Sequence, residues 1–338
     1  MAAPPSEPVV ANATAVSATA PRARRRPGAW LLRYGTLAAC VLVLVYFSIA
    51  KPDTYPTWSN LAGLLTLAAP LMLMAVVLTV PLRVGDFDLS IGYQTQFYSA
   101  FAVVMVAKAG LSSVAAVGLT LLAAVVIGTV LGLLVAYTGV SAFVVTLAAG
   151  TILLGLEIQV SGNEQISRGI PLEFTDMATA HLAAVPVPIV VEVIAIALLW
   201  LVQDRTVWGR QVAAVGASYE AAKLSGIRVE LVRAAAFSLV GCGCALAGLL
   251  LAAQAQSYYP NAAIGLLLPA YAACFLGSTI LRPGSFHVVG TAVGVLFLAA
   301  LQNGIVQLNY SPAVANIIQG LVLALAVLAS QLGRRMAR

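Results

Sequence analysis

The chain has 338 residues, of which 61% are hydrophobic and only 9% are charged. Globular domains usually have about 45–50% apolar and about 25% charged residues, so this chain has too few polar side chains to cover a soluble fold. Together with a mean hydropathy of +0.97, this composition predicts an all-α polytopic membrane protein. It excludes a cytosolic enzyme, a secreted disulfide scaffold, a disordered regulator and a nucleic-acid-binding protein.

About 20 mainly apolar residues form a helix that crosses roughly 30 Å of hydrocarbon. We predict ten such spans, at residues 30–50, 61–82, 92–109, 112–138, 141–160, 185–203, 233–255, 262–281, 285–308 and 312–332. The region 262–308 also fits a re-entrant arrangement instead of two complete spans. Residues 30–332 then form one transmembrane domain, between a disordered cytoplasmic tail over 1–29 and a short cytoplasmic tail over 333–338.

The basic residues predict the orientation, because cytoplasmic loops carry an excess of Lys and Arg. With the N-terminus inside, fifteen of the eighteen Lys and Arg residues lie on the cytoplasmic side. Lys51, Lys108 and Arg168 make up the outer set. Arg334 and Arg335 stay inside only if the number of spans is even. We therefore predict ten spans with both termini in the cytoplasm, so the net charge of +6 reflects membrane sidedness.

The sequence contains no motif for catalysis, nucleotide binding or metal binding. No Gly is followed by Lys, so a phosphate-binding loop of the G-x-x-x-x-G-K-[ST] type is absent. The two histidines, His181 and His287, have no His or Cys neighbours at metal-ligand spacing, and the four cysteines lie in apolar runs. We predict no catalytic residue, no metal site and no cofactor held by this chain.

Amide side chains supply most of the polar groups in the predicted spans, whereas Glu157 and Glu192 are the only carboxylates there. Gln94, Gln96, Gln302, Asn303 and Asn316 are candidates to line a solute pathway. Each amide offers donors and an acceptor, which suits a neutral, hydroxyl-rich solute. The alternative is hydrogen bonding between helices, worth about 0.6 kcal/mol per bond in membranes.

The longest predicted cytoplasmic segment, residues 204–233, contains a short helix. Ser218 is placed to cap its N-terminus and Gly226 to end it at the C′ position. Trp208-Gly209-Arg210 is interpreted as the end of a turn that leaves the sixth span. The result is a compact, capped helix on the cytoplasmic face.

Four stretches of this chain resemble ABC importer permeases, most closely the branch that includes the ribose, galactose, xylose and autoinducer-2 permeases. They are Gly209-Arg210…Ala214…Gly216…Glu220-Ala221-Ala222…Ser225-Gly226-Ile227, which resembles the coupling loop, then Asp88-Leu89-Ser90-Ile91-Gly92, Pro260-Asn261-Ala262 and Gln302-Asn303-Gly304 followed by Ser311-Pro312. The resemblance covers roughly residues 60–330.

This resemblance implies a permease subunit that moves a small neutral solute, a monosaccharide or similar polyol, by alternating access. A cytoplasmic ATPase that binds the ATP, an extracytoplasmic solute-binding protein and a second permease subunit would be its partners in the bacterial inner membrane. The implied ATPase-coupling residues are Gly216, Ser218, Tyr219, Glu220, Ala221, Ala222, Lys223 and Gly226, and Asn261 joins the solute-pathway candidates. Glu164, Arg168, Glu173 and Asp176 of the outer loop would receive the binding protein.

Two alternatives remain open at this point: an ion-coupled secondary solute carrier that works alone, and a membrane-embedded structural subunit. An internal similarity favours a transporter fold. Asp88-Leu89-Ser90-Ile91-Gly92 opens the third span from the inside and Asn261-Ala262-Ala263-Ile264-Gly265 opens the eighth from the outside. This is consistent with an inverted repeat of spans 2–5 and 7–10, as the resemblance implies. The G-x-x-x-G pairs Gly128/Gly132 and Gly290/Gly294 are predicted to pack helices closely.

Overall fold

The computed structural model describes residues 28–280 and 284–337, and within them the fold is almost entirely helical. The helices are α1 (Gly28–Ala50), α2 (Trp58–Val84), α3 (Ile91–Ala107), α4 (Ser113–Tyr137), α5 (Ala142–Ser161), α6 (Leu172–Thr179), α7 (Val187–Arg205), α8 (Val207–Ala217), α9 (Tyr219–Leu224), α10 (Val229–Ala255), α11 (Leu267–Gly277), α12 (Val288–Gln307) and α13 (Pro312–Ala337). A 3-10 turn, Ile264–Leu266, leads into α11. The strands β1 (His181–Leu182) and β2 (Val185–Pro186) form a small antiparallel ribbon.

Each predicted span contains a helix, which confirms the helical membrane-protein class. Six helices of the described structure are long and apolar enough to cross a membrane: α2, α4, α5, α7, α10 and α12. Shorter apolar stretches in α1, α11 and α13, and the 17-residue α3, occupy the other four predicted spans. Most of the predicted N-terminal tail, together with Arg282 and Arg338, lies outside the described residues.

The centre of the bundle is formed by α2 and α10, and α10 packs against α2, α3 and α4. Glycines permit this closeness: a β-carbon at Gly128 of α4 would lie 2.9 Å from the main-chain oxygen of Phe237 on α10. Gly132 meets Ala234 of α10 in the same way, and Gly290 and Gly294 of α12 abut α11. The prediction that these pairs pack helices closely is confirmed, because a side chain at any of these glycines would push the two helix backbones apart.

The helix ends follow ordinary capping rules. Thr57 accepts a hydrogen bond from the Asn60 amide (3.2 Å) and begins α2 after the predicted break at residues 51–56. Gly85, with φ of 103°, ends α2 in the left-handed conformation, and its amide donates to Pro81 (3.0 Å).

The segment 204–233, predicted to be cytoplasmic, differs from the prediction in one respect. Trp208-Gly209-Arg210 was expected to end a turn, and that interpretation is wrong, because these residues lie in the first turn of α8. Thr206 caps this helix by accepting a hydrogen bond from Gly209 N (3.1 Å). The capped helix that follows agrees with the prediction: Ser218 accepts from Ala221 N (3.3 Å), and Gly226 has φ of 81°.

The two segments related by the internal similarity touch each other. One of these segments connects α2 to α3, and the other connects α10 to α11. The starts of α3 and α11 are in contact. A β-carbon at Gly92 would lie 3.3 Å from both the α-carbon of Ile264 and the β-carbon of Leu267. Gly92 therefore sets how closely the two helices approach.

Candidate functional site

The amides predicted to line a pathway fall into two separate groups. Gln302, Asn303 and Asn316 lie near the end of α12 and the start of α13. Gln94, Gln96 and Asn261 lie around the start of α3 and the segment that precedes α11. The structure does not bring all of them to one cavity.

Two cavities border the first group. One, of about 360 Å³, lies between α2, α12 and the 3-10 turn and is lined in part by Gln302 and Asn303. The other, of about 240 Å³, lies between α11 and α13 and includes Asn316 and Gln319. Gln319 Nε2 donates to Gln302 Oε1 (3.1 Å), so these amides join the walls of the two cavities.

The amide row, our name for Gln302, Asn303, Gln307, Asn316 and Gln319, continues toward the start of α2. Gln307 Nε2 donates both to Asn303 Oδ1 (3.1 Å) and to Asn60 Oδ1 (2.7 Å). Thr54 donates its hydroxyl to Gln307 Oε1 (2.8 Å). Gln302 and Asn316 are exposed on the side of the bundle. Because each amide has more donors and acceptors than these bonds use, the row retains capacity to bind hydroxyl groups.

Gln94 and Gln96 are fully buried and bond to protein groups. Gln94 Nε2 donates to the Ser90 hydroxyl (2.8 Å). Gln96 Nε2 donates to the Tyr259 main-chain oxygen (3.0 Å), and its Oε1 accepts from Ala263 N (2.8 Å). In this conformation Gln96 ties α3 to the segment before α11 and faces no open cavity. Asn261 lies in that segment, exposed and with φ of 63°.

Asp88 is a buried carboxylate whose burial the sequence did not indicate. It lies in the segment Gly85–Ser90 between α2 and α3 and is fully buried. Its Oδ1 accepts from the Ser90 amide (2.8 Å), while Oδ2 has no hydrogen-bond partner. Burial raises the pKa of Asp88 to about 6, and the hydrogen bonds from Ser90 oppose that shift. A polar residue in a connecting segment is normally expected to be exposed, so only the tertiary packing shows that Asp88 is buried.

The residues predicted to couple to an ATPase lie together on α8, α9 and the following turn. Ala222, itself a residue of α9, is buried, whereas the other members of the set are exposed: Gly216, Ser218, Tyr219, Glu220, Ala221, Lys223 and Gly226. Tyr219 donates its hydroxyl to Glu230 Oε1 (3.2 Å) on α10. Leu224 is 88% exposed, an unusual position for a leucine outside the spans. This surface has the apolar and charged groups that a protein partner would contact.

In the predicted outer loop, residues 161–181, the side chains of Glu164, Arg168, Glu173 and Asp176 are all exposed. The loop is held in place by Phe174, which is fully buried, and by Ile166. The main chains of Ile166 and Tyr258 exchange two hydrogen bonds (3.1 and 2.9 Å). The loop is therefore fixed to the segment that leads into α11.

Within residues 28–280 and 284–337, no group of three or more His, Cys, Asp or Glu side chains is placed to hold a metal ion. His287 instead caps α12, where its Nδ1 accepts from Gly290 N (2.8 Å).

The apolar helices of this bundle define a polytopic membrane protein. The chain belongs to the family described as branched-chain amino acid transport system / permease component, whose model matches residues 60–327. It is a multi-pass protein of the bacterial inner membrane.

Its relatives include named sugar permeases. The ribose import permease protein RbsC of Bacillus subtilis is 32% identical over 297 residues, which cover 88% of this chain and 92% of the relative. The L-arabinose ABC transporter permease protein AraH of Azospirillum brasilense is 30% identical over 318 residues (94% and 93%). The autoinducer 2 import system permease protein LsrD of Yersinia enterocolitica is 31% identical over 260 residues (75% and 78%). No solved structure matches the chain. The resemblance inferred from its motifs is confirmed.

Proposed function

We propose that this chain is the permease subunit of a binding-protein-dependent ABC importer for a neutral monosaccharide or similar polyol. The observation that carries the proposal is the similarity to ribose and arabinose permeases over about nine-tenths of each chain. ATP would be bound by a separate ATPase, since the sequence contains no phosphate-binding loop. The chain itself would perform no covalent chemistry.

In this proposal ten spans cross the membrane, with both termini in the cytoplasm. Helices coincide with all ten apolar runs, and the basic residues favour that orientation. Spans 2–5 and 7–10 form the inverted repeat. The contact between Gly92 and Ile264 supports it, because equivalent elements of two inverted halves meet near the axis that relates them. Residues 30–332 remain one domain.

The ATPase docks on the exposed residues of α8 and α9. Glu220 and Lys223 offer both charges there, and Leu224 offers apolar area. The solute-binding protein docks at the other face, on Glu164, Arg168, Glu173 and Asp176. Charged residues of an exposed rim steer and orient a partner that must bind and leave in each cycle.

A second permease subunit covers the side of the bundle where the amide row is exposed. Leu268 and Ile317 beside it are 63% and 64% exposed. Exposed apolar side chains suit lipid as well as a partner, but amides such as Asn316 would lose hydrogen bonds if they faced hydrocarbon. Two copies or two related chains would enclose the amides in a passage, where Gln302, Asn303 and Asn316 contact the solute. Gln94 and Gln96 stay in the interior of the bundle, bonded to protein groups.

The proposal is tested by reconstituting the permease in proteoliposomes with its ATPase and binding protein, both identified from neighbouring reading frames. Uptake of radiolabelled ribose, arabinose, an amino acid and an organic cation is measured with and without internal ATP. We expect ATP-dependent uptake of a sugar only. Uptake by the permease alone, driven by an ion gradient, would instead establish the secondary-carrier alternative, and uptake of only a charged solute would contradict the sugar assignment.

A further inference from the structure

We call the exposed residues of α8, α9 and the turn after them the coupling surface. This surface touches the end of α2 through main-chain atoms. A β-carbon built at Gly216 of α8 would overlap the main-chain oxygen of Arg83. Arg83 itself pairs with Asp204 (3.2 Å) at the end of α7. A movement of α8 toward the membrane must therefore displace the end of α2, because two backbones in contact cannot pass through each other.

The segment Gly85–Ser90, which we call the junction segment, begins immediately after this contact. A bidentate ion pair fixes it to α10: Arg233 Nε and Nη2 donate to the two carboxylate oxygens of Asp86, each at 2.8 Å. The side chains of Arg233 and Asp86 are only 16% and 13% exposed. Bidentate pairs of this kind define orientation as well as distance, and partial burial shields this one from screening.

The far end of the junction segment reaches α11. Tyr271 donates its hydroxyl to the main-chain oxygen of Asp88 (2.8 Å), in a buried contact. The Tyr271 ring also stacks on Phe87, with ring centres 6.1 Å apart. The same short helix and the turn before it line both cavities beside the amide row, through Leu266 in one and Leu268 in the other.

The junction segment is therefore in contact with the end of α2 that meets the coupling surface and with a helix that borders the cavities. It has little freedom of its own, since Leu89 N also donates to the Thr146 hydroxyl (3.0 Å) on α5. A short segment with fixed contacts at both ends can carry a displacement that a flexible loop would absorb.

We propose that the junction segment transmits the movement of the coupling surface to α11 and so to the solute passage, with Arg233 and Tyr271 as its positioning residues. This inference rests on the proposed importer function. Neither residue belongs to the predicted solute-pathway or ATPase-coupling residues. Arg233 holds the junction segment against α10, and Tyr271 holds it against α11, the helix that it moves.

The first test is Tyr271→Phe, which removes one hydroxyl and keeps the ring stacked on Phe87. Its matched control is Tyr55→Phe, because Tyr55 is also buried and also donates its hydroxyl to a main-chain oxygen, that of Ala300 (3.0 Å), near the amide row. In proteoliposomes we measure solute molecules imported per ATP hydrolysed. Tyr271→Phe should lower this ratio about fivefold, the effect of about 1 kcal/mol from one lost hydrogen bond, while Tyr55→Phe leaves it unchanged.

The second test uses the ion pair. Asp86→Arg and Arg233→Asp should each reduce the import ratio at least tenfold while ATP hydrolysis still responds to the loaded binding protein. The double variant, with both charges exchanged, should recover at least a third of the wild-type ratio. Recovery would show that the pairing itself is required, because the losses caused by two independently damaging substitutions would add up to a larger loss.

Three outcomes would overturn the inference. One is an unchanged ratio in Tyr271→Phe. Another is an equal loss in Tyr55→Phe, which would mean that any buried hydroxyl matters. The third is a parallel loss of assembly, ATP hydrolysis and import in the ion-pair variants without recovery in the double variant, which would indicate a structural role only. If the wild-type complex shows no ATP-dependent import, it is the proposed function that fails, not the inference.

Discussion

At the scale of single residues, absent side chains decide how closely the helices of this protein approach. A β-carbon at Gly216 would overlap the Arg83 main-chain oxygen and lie 3.0 Å from its carbonyl carbon. Both obstacles belong to the backbone of α2, so neither can rotate away. Gly155 on α5 is the opposite case, because nothing lies within 4 Å of a β-carbon built there.

This difference gives a prediction. Gly216→Ala should force α8 away from α2 and lower solute uptake at least tenfold, with membrane levels within about twofold of the wild type. Gly155→Ala should not lower uptake, since alanine is favoured over glycine in a helix by up to about 1 kcal/mol. Uptake and immunoblotting of membranes check both variants. Normal uptake in Gly216→Ala would show that the contact between α8 and α2 is unimportant.

Single residues also show where sequence patterns mislead. Gln94 and Gln96 belong to the same class of predicted pathway amides as Gln302, yet they are buried and bonded to Ser90 and to the segment before α11. Sequence spacing assigned all of these amides to spans but could not tell which helix face meets a cavity. The neighbours of each face come from other parts of the chain.

At the scale of elements, α11 is too short to cross a membrane by itself. Ile264–Gly277 has 14 residues and rises about 21 Å, less than the roughly 30 Å of hydrocarbon. Its first turn contacts α3, and its sides meet α12 and α13. The helix is thus positioned to border both cavities.

The amide row on α12 and α13 supports a prediction for solute binding. Asn316→Leu should reduce uptake about tenfold, the effect of about 1.4 kcal/mol when a solute hydroxyl loses its partner away from water. Gln159→Leu on α5, an exposed amide outside the two cavities, serves as the control and should have little effect. Uptake at several solute concentrations separates weaker binding from poor assembly. Equal effects of the two substitutions would remove Asn316 from the passage.

At the scale of the whole molecule, the two ends of the bundle differ in charge. The ion pairs Arg83–Asp204 and Arg233–Asp86 lie where α2 and α7 end and α10 begins. The start of α2 instead meets the end of α12, through the hydrogen bond from Gln307 to Asn60. The end that carries the ion pairs corresponds to the cytoplasmic side predicted from the basic residues.

A topology prediction follows from this polarity. A fluorescent reporter that folds only in the cytoplasm should be bright when fused after Arg338, and an alkaline phosphatase that is active only outside should be inactive there. Insertion of the same phosphatase after Arg168, in the outer loop, should give activity and serves as the control. Phosphatase activity after Arg338 would contradict an even number of spans.

The sequence alone was enough to predict the class of this protein, the helices in its ten apolar runs, the capped helix α9 and the family. These features depend on local composition, on capping residues and on short motifs, all of which are contiguous along the chain. The three-dimensional structure was needed to show that Gln94 and Gln96 are buried, that Asp88 lies inside the bundle, and that α3 and α11 meet at Gly92. These features depend on contacts between residues distant in sequence. An apolar helix can bury several of its faces, so periodicity alone cannot choose the face that meets a neighbour.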